Sequence, residues 1–421
     1  MGVRTARTPG HARRRRLRLV AASVTITTAV CGQPGAEAFM TDLRHAARSS
    51  APPQMIDAAR APKHATVGMT RDEHEERLVY RLRYRVYVHE QGKRPAGVDW
   101  ERGELTDAID PWSTLWCARD DDEIVGTVSQ TIIGANFDLA HLPSELALET
   151  FPRSVTCPLG YSRRFAIAPG YRSTWVLPSL ARCTYTHGRQ LGAKFDFMTT
   201  NPGLVPLFER LGYIRYTATA VQSHEVGLLI PMVLPATDYE HLRNVRSACL
   251  SAATAFPEEA EWGAWLRAAH PIIGEYYASD ARREEQAWLV SERLRLPFNI
   301  AAELVSMSFV HRFPAGTRLL RRGDRVTCAF LAMDGQLSVD NKDGGEPTAD
   351  CAPDGVAFAR ATIHCQGETE VLCLPSTGVA RLERRYPEYA SVVAELLKQA
   401  APDGWRQLMA TRSVLTAYSS A

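Results

Sequence analysis

The sequence predicts a mixed α/β sheet, then a helical connector, then a small all-β domain. Three observations carry that reading. Between residues 68 and 235 helical and strand-like runs alternate around one antiparallel hairpin, the pattern of a sheet covered by helices. Residues 236–302 are rich in Ala, Glu, Arg and Trp at helical spacing. Over residues 303–400 the turn signals "PAG", "RRGD", "MDGQ" and "KDGGEP" separate strand-like runs and suggest a β-barrel or sandwich. Residues 401–421 form a C-terminal tail.

Composition sets the limits. A chain of 421 residues with 45% hydrophobic and 23% charged residues can bury more than one core. Its formal net charge of +2 owes much to basic residues in the first twenty positions, so the body does not call for nucleic acid as a partner. Nine cysteines with no C-x-x-C pair fit neither a disulfide framework nor a zinc site; they point to a reducing, cytoplasmic setting. The start of the chain argues the other way. "ARRRRLRLVAASVTITTAVCG" has the basic run and apolar stretch of a signal, but the stretch is too short to span a bilayer as a mature helix. Residues 1–67 therefore read as a disordered extension, a signal, or a start placed upstream of Met40 or Met55.

The elements follow in order. "DEHEERLVYRLRYRVYVHEQG" begins as an amphipathic helix with acidic residues in its first turn, although its "LRYRVYVHEQG" part also alternates like a strand. "STLWCARDDDEIVGTVSQTII" is a hairpin turning at Asp120 to Glu123. "GYSRRFAIAP" is a third strand, and "STWVLPSLARCTYTHGRQLG" a helix stopped at Gly192. "AKFDFMTT" is the next strand, "NPGLVPLFERLGYIRY" holds a short helix with Pro202 near its start, and "HEVGLLIPMVL" is the last strand of the sheet. "ARLERRYPEYASVVAELLKQA" adds a helix to the C-terminal domain.

This order of elements over residues 70–235 resembles the GNAT (acyl-CoA N-acyltransferase) fold. "LRYRVYV" is similar to the opening motif of acyl-homoserine-lactone synthases and long-chain N-acyl amino acid synthases, with Arg83 in the arginine position and Tyr87 in the aromatic one. Trp100 follows, then Asp107 and Asp110 as the paired acids of "DAID", then Arg164 and Phe165 in "YSRRFAI". The family's glutamate in that strand falls on Tyr161, which alters the acceptor pocket. "NPGLVPLFERLGY", with Asn201, looks like the general GNAT ending.

The residue chemistry fits. An amino-acid acceptor needs its carboxylate held, which arginine does bidentately, and its ammonium held and deprotonated, which carboxylates do. Arg83, Asp107, Asp110 and Arg164 supply both signs and read as one cluster fixing the acceptor, with Tyr87, Trp100 and Phe165 beside it. Arg85 taken alone reads as part of a solvated, salt-bridged face. The resemblance implies direct attack of the amine on a thioester, with Glu104, or water at Asp107, taking the proton and Asp110 completing the acids. Main-chain N–H groups of Phe165, Ala166, Ile167 and Ala168 would polarise the carbonyl. On the donor side Arg172 stands first in "RSTWVL", but no glycine follows to let the backbone approach a pyrophosphate. A long acyl chain, at ~0.8 kcal/mol per buried CH₂, or a carrier protein makes up for it. Trp175, Phe195 and Phe197 line a tunnel or, as aromatic residues at these spacings usually do, fill the core. Cys183 and His187 lack a third, orienting group and read as packing, and the twelve histidines form no metal-ligand spacing.

Residues 303–400 resemble a cyclic-nucleotide-binding domain of the β-barrel (jelly-roll) kind, through "FPAGTRLLRRGDRVTCAFLAMDGQLSV". The phosphate cassette is cut to "PDGVAFARAT", leaving Gly355 and Arg360 without the glutamate that holds the ribose. A degenerate regulatory or docking domain follows from that loss, with a cyclic nucleotide bound through Arg360 as the other reading. The whole reads as an N-acyltransferase using acyl carrier protein or coenzyme A thioesters as co-substrate, with no tightly bound cofactor and no membrane span. The alternatives are a catalytically inactive signalling module and a lactone-signal synthase using S-adenosylmethionine.

Overall fold

Helix α1 (Glu73–Tyr84) shows how local sequence starts the fold. The Asp72 side chain caps it by accepting from the Glu75 N–H at 2.9 Å, and Glu73, Glu75 and Glu76 lie at the positive end of its dipole. The face buried is Val79, Leu82 and Arg83. The helix then widens into a π-helical stretch, Arg85–Glu90, so the mixed strand and helix signals there resolve into a helix of irregular pitch. The computed structural model describes residues 65–389 apart from 155, 224, 278–279, 341–358 and 360.

The main sheet is mixed, as expected. Its strands are β1 (Ala65–Met69), β4 (Ser113–Asp120), β5 (Glu123–Ile133), β6 (Leu159–Ile167), β7 (Phe195–Thr200), β8 (Ile214–Arg215), β9 (Val221–Ser223) and β10 (Gly227–Pro235), with β2 (Val98–Asp99) and β3 (Glu104–Leu105) forming a separate hairpin. The order is β1-β4-β5-β6-β7-β10-β8, with β9 against β10. β6 and β7 are the parallel pair; the other pairings in this sheet are antiparallel. This is the GNAT-like arrangement. β1 starts a few residues before position 68: the β-branched Thr66 and Val67 pair with β4, from Ala65–Asp120 to Met69–Trp116. Helix α2 (Val176–Gln190) joins β6 to β7 and is followed by Gly192 at φ +90°, a left-handed turn that glycine adopts without strain. Helix α3 (Val205–Leu211) leads into β8.

The connector is helical: α4 (Tyr239–Asn244), α5 (Leu250–Ala253), α6 (Ala260–Ala269), α7 (Ile272–Tyr276), α8 (Asp280–Leu294) and α9 (Phe298–Ser306). The described C-terminal strands are β11 (Phe309–Phe313), β12 (Arg318–Leu320), β13 (Cys328–Asp334), β14 (Leu337–Asp340), β15 (Thr362–Cys365) and β16 (Thr369–Pro375). They form two three-stranded antiparallel sheets, β11-β16-β13 and β12-β15-β14, where the sequence suggested a β-barrel or sandwich. Helix α10 (Ser376–Arg385) follows. Gly355 and Arg360 lie outside the described residues. One apolar core runs from α2, α3 and β10 through α8 and α9 into β11, β13, β15 and β16. Among the described residues no helix is long and apolar enough to cross a membrane.

Candidate active site

Arg83 is held inside the molecule because α1 packs on β5. Its side chain is fully buried, its Nη1 donates to Asp110 Oδ2 at 2.7 Å, and its Nη2 donates to the Ser129 hydroxyl of β5. Ser129 in turn donates to Asp110 Oδ1 at 3.1 Å, and the Asp107 N–H donates to Asp110 Oδ2 at 2.7 Å. Asp110 thus ties α1, β5 and its own loop together. Its short 3₁₀ turn, Asp110–Trp112, follows from Pro111 at the second position.

Asp107 turns toward β6. Its Oδ2 accepts from Arg164 Nε at 2.6 Å and from an Arg163 guanidinium N–H, while Oδ1 accepts from the Ile109 N–H at 3.3 Å. Burial raises the pKa of this acid, but the two arginines outweigh it and hold the carboxyl below its ordinary value. Both arginines reach one carboxylate because β6 is irregular there. Its register against β5 slips between Thr127–Ala166 and Ser129–Arg163, and Arg164 has φ +56°, a bulge that turns an extra side chain to the same face.

The bulge lies where β6 and β7 part. Their parallel pairing covers Gly160–Asp196 and Tyr161–Phe197 alone, although β6 runs on to Ile167 and β7 to Thr200. Side chains meet the β6 carbonyls beyond that point: Tyr87 Oη donates to Phe165 O at 2.9 Å, and Arg172 Nη2 to Ile167 O at 3.2 Å. The Arg164 guanidinium lies over the Tyr87 ring at 5.5 Å. Burial raises the Tyr87 hydroxyl's pKa, so it stays a proton donor. A recess of about 560 Å³ has Glu76, Tyr80, Asp107, Asp110 and Thr114 in its wall.

The structure therefore brings together Arg83, Tyr87, Asp107, Asp110, Arg164 and Phe165. It does not bring the rest. Glu104 accepts from Arg77 Nε at 3.2 Å and Arg81 Nε at 3.3 Å, because the β2–β3 hairpin lies on the outer face of α1. Trp100, at that hairpin's turn, is 59% exposed and meets Tyr84 edge-on. Arg172 is clamped by both oxygens of Glu90. Asn201 accepts from the Gly203 N–H at 3.0 Å and from the Thr327 hydroxyl, a contact with the C-terminal region. The Ala168 N–H goes to Val125 O at 2.9 Å, which takes it out of the set of free donors, while Ala166 and Ile167 lie opposite Thr127 and Gly126. Phe195 and Phe197 are fully buried in an aromatic core with Phe151 and Tyr216, and Trp175 is buried under α2, as packing predicts. His187 Nδ1 bonds Gln130 Oε1 at 2.9 Å. Arg85 is exposed, with Glu123 at 3.7 Å. Sequence reading missed Arg163, Ser129 and Lys93. The doubled arginine of "SRRF" was the available signal for the first; nothing local marks the other two.

Residues 78–238 match the family model of the N-acyl amino acid synthase FeeM. That span holds the cluster and the sheet from β4 to β10, without β1, and the match supports an N-acyltransferase. No curated protein matches the chain significantly in sequence. Among solved structures, FeeM, an N-acyl amino acid synthase from uncultured soil microbes, is 15% identical over 44% of this chain and 99% of its own, at a TM-score of 0.35. The acyl-homoserine-lactone synthase LasI is 16% identical over 42% of this chain and 91% of its own, at 0.35. MesI, a CoA-dependent acyl-homoserine-lactone synthase, is 19% identical over 44% and 94%, at 0.34.

Proposed function

We propose that residues 68–235 transfer an acyl group from a thioester, carried by acyl carrier protein or coenzyme A, to the amine of an amino acid or similar acceptor. The observation that carries this reading is the parting of β6 from β7 beside the Asp107–Arg163–Arg164 cluster, inside the matched segment. A thioester in that opening meets main-chain N–H groups. Because the Ala168 N–H faces β5, strand alternation turns the Ile167 N–H the other way, into the opening, where it polarises the carbonyl.

The acceptor enters from the acidic recess. Arg163 and Arg164 each give Asp107 an N–H and keep others for the acceptor's carboxylate, while Asp107 orients its ammonium. A carboxylate held below its ordinary pKa is a weak base, so the amine's proton leaves through water beside Asp107. The amine nitrogen then bonds the carbonyl carbon, the C–S bond breaks, and the thiolate takes up a proton. Arg83 and Asp110 act through position, by fixing the loop that carries Asp107. A long acyl chain supports donor binding, since the "RSTWVL" turn offers no glycine. Residues 303–400 act as a cyclic-nucleotide-binding-like docking or regulatory domain.

Incubation of the full chain with long-chain acyl thioesters and an amino-acid mixture tests this. Thiol release that requires the amine, with an N-acyl amino acid seen by mass spectrometry, is the expected outcome. Release that ignores the amine, or none with any thioester, overturns it.

A further inference from the structure

Lys93 is a half-buried cation that the cluster leaves unexplained. It follows the π-helical stretch, its N–H donates to Tyr87 O at 3.0 Å, and its Nζ stands 5.5 Å from the Tyr87 ring centroid. Arg325, between β12 and β13, donates from Nη1 to the Glu90 carbonyl at 3.2 Å. Among the described residues neither cation has a carboxylate partner. The nearby acids are already engaged: Glu90 by Arg172, Asp324 by Arg321, and Asp107 by Arg163 and Arg164. Burial, with the charges of Arg164 and Arg325, pushes Lys93 down to about 8, while Asp324 acts the other way. Arg325 itself is lowered, first by burial.

Both cations lead back to the end of β6: Lys93 stands by the ring of Tyr87, whose hydroxyl donates to Phe165 O. Arg172 reaches the Ile167 carbonyl at the end of β6, Glu90 clamps Arg172, and Arg325 holds the Glu90 carbonyl. A donor whose thioester lies by Ile167 leads its pantetheine arm out beside this group. Partly desolvated cations with no carboxylate in ion-pair contact among the described residues are costly, and an anion between them lowers the cost. From Arg172 to the start of α2 no glycine is present for a main-chain phosphate cradle, so side chains are left to supply the charge.

We propose that Lys93 and Arg325 form a phosphate site for the pantetheine arm, the phosphate that coenzyme A and a carrier protein have in common. The C-terminal region thereby contributes a residue to the donor site. The inference rests on the thioester-donor reading, and its test is a binding measurement. Calorimetric titration of the full chain compares 4′-phosphopantetheine with pantetheine. The expected result is a preference for the phosphorylated arm of at least about 10-fold, cut several-fold in Lys93→Gln and in Arg325→Gln and retained in Lys93→Arg. Titration with coenzyme A and with holo-carrier protein then identifies the source, by which of them loses affinity in the same variants. No preference in the unaltered protein, or one that survives both glutamine variants, overturns the site. Because the readout is affinity, a phosphate preference without amine-dependent thioester cleavage sinks the acyltransfer reading and leaves the site standing. Cleavage without the preference does the reverse.

Discussion

Arg83 is fully buried, and among the described residues its Nε has no hydrogen-bond partner, so its charge rests on Asp110 and Ser129. Removing one partner of such a pair leaves the other charge buried. Arg83→Ala is expected to lose about 3–5 kcal/mol of stability in urea unfolding; a loss under about 1 kcal/mol would show that the pair does not support the loop. Asp107→Asn weakens the hold on Arg163 and Arg164, and is expected to lower kcat/KM for amine-dependent thiol release by at least ~10-fold. Unchanged kinetics would remove Asp107 from the site. Asp196 gives a pH signature. Burial raises its pKa to about 6, so between the ordinary value near ~3.9 and about 6 the folded chain binds more protons than the unfolded one. Its contribution to stability therefore falls as pH rises through that window. Asp196→Asn flattens that slope when unfolding is followed across it; an unaltered slope would assign the titration elsewhere.

At the scale of elements, β6 carries the most consequence. Its two parallel pairs with β7 depend on Gly160, where an added Cβ would lie 2.2 Å from Asp196 Oδ1. Gly160→Ala is expected to cost about 1–3 kcal/mol through overpacking and to disturb the point where the strands part. A variant as stable as the parent, by thermal melting, would show that β7 shifts freely. Four residues further along, the bulge turns Arg164 into left-handed backbone at a cost of roughly 1–2 kcal/mol, which its bond to Asp107 helps to offset. The π-helical stretch after α1 has a parallel role. Its wider turn sets Tyr87 under the Phe165 carbonyl and brings Glu90 to Arg172.

For the whole molecule, Arg215 joins the large sheet to the C-terminal one. It is buried, donates from Nε to Glu209 at 2.8 Å and from Nη1 to Val310 O at 2.5 Å, and lies over Tyr276, Tyr277 and Phe309 at 4.7, 5.1 and 4.8 Å. With the core shared from α2 to β16, the described chain is expected to unfold in one cooperative transition, and Arg215→Ala to lower that transition as a whole. Two separate transitions by calorimetry, with Arg215→Ala moving one of them, would mean that the C-terminal region folds by itself.

The sequence determined the kinds of element and their order: acidic and apolar spacing set α1, the acidic turn set the β4–β5 hairpin, and Gly192 stopped α2. It also pointed to Arg83, Asp107, Asp110 and Arg164, through their resemblance in order to the motifs of acyl-homoserine-lactone and N-acyl amino acid synthases, with charges of both signs that suit an amino-acid acceptor. These signals are local, as are the forces behind them. What the tertiary structure decided is which charges meet. Arg163 and Arg164 share Asp107 through a bulge that no propensity encodes, whereas Glu104 and Trp100 end on the outer side of α1 because a short hairpin carries them there. Lys93 and Arg325 are 232 positions apart, and Arg325 reaches the Glu90 carbonyl because both halves of the chain bury one apolar core. The partner a side chain meets across such a distance is set by packing of the whole chain, which local pattern does not contain.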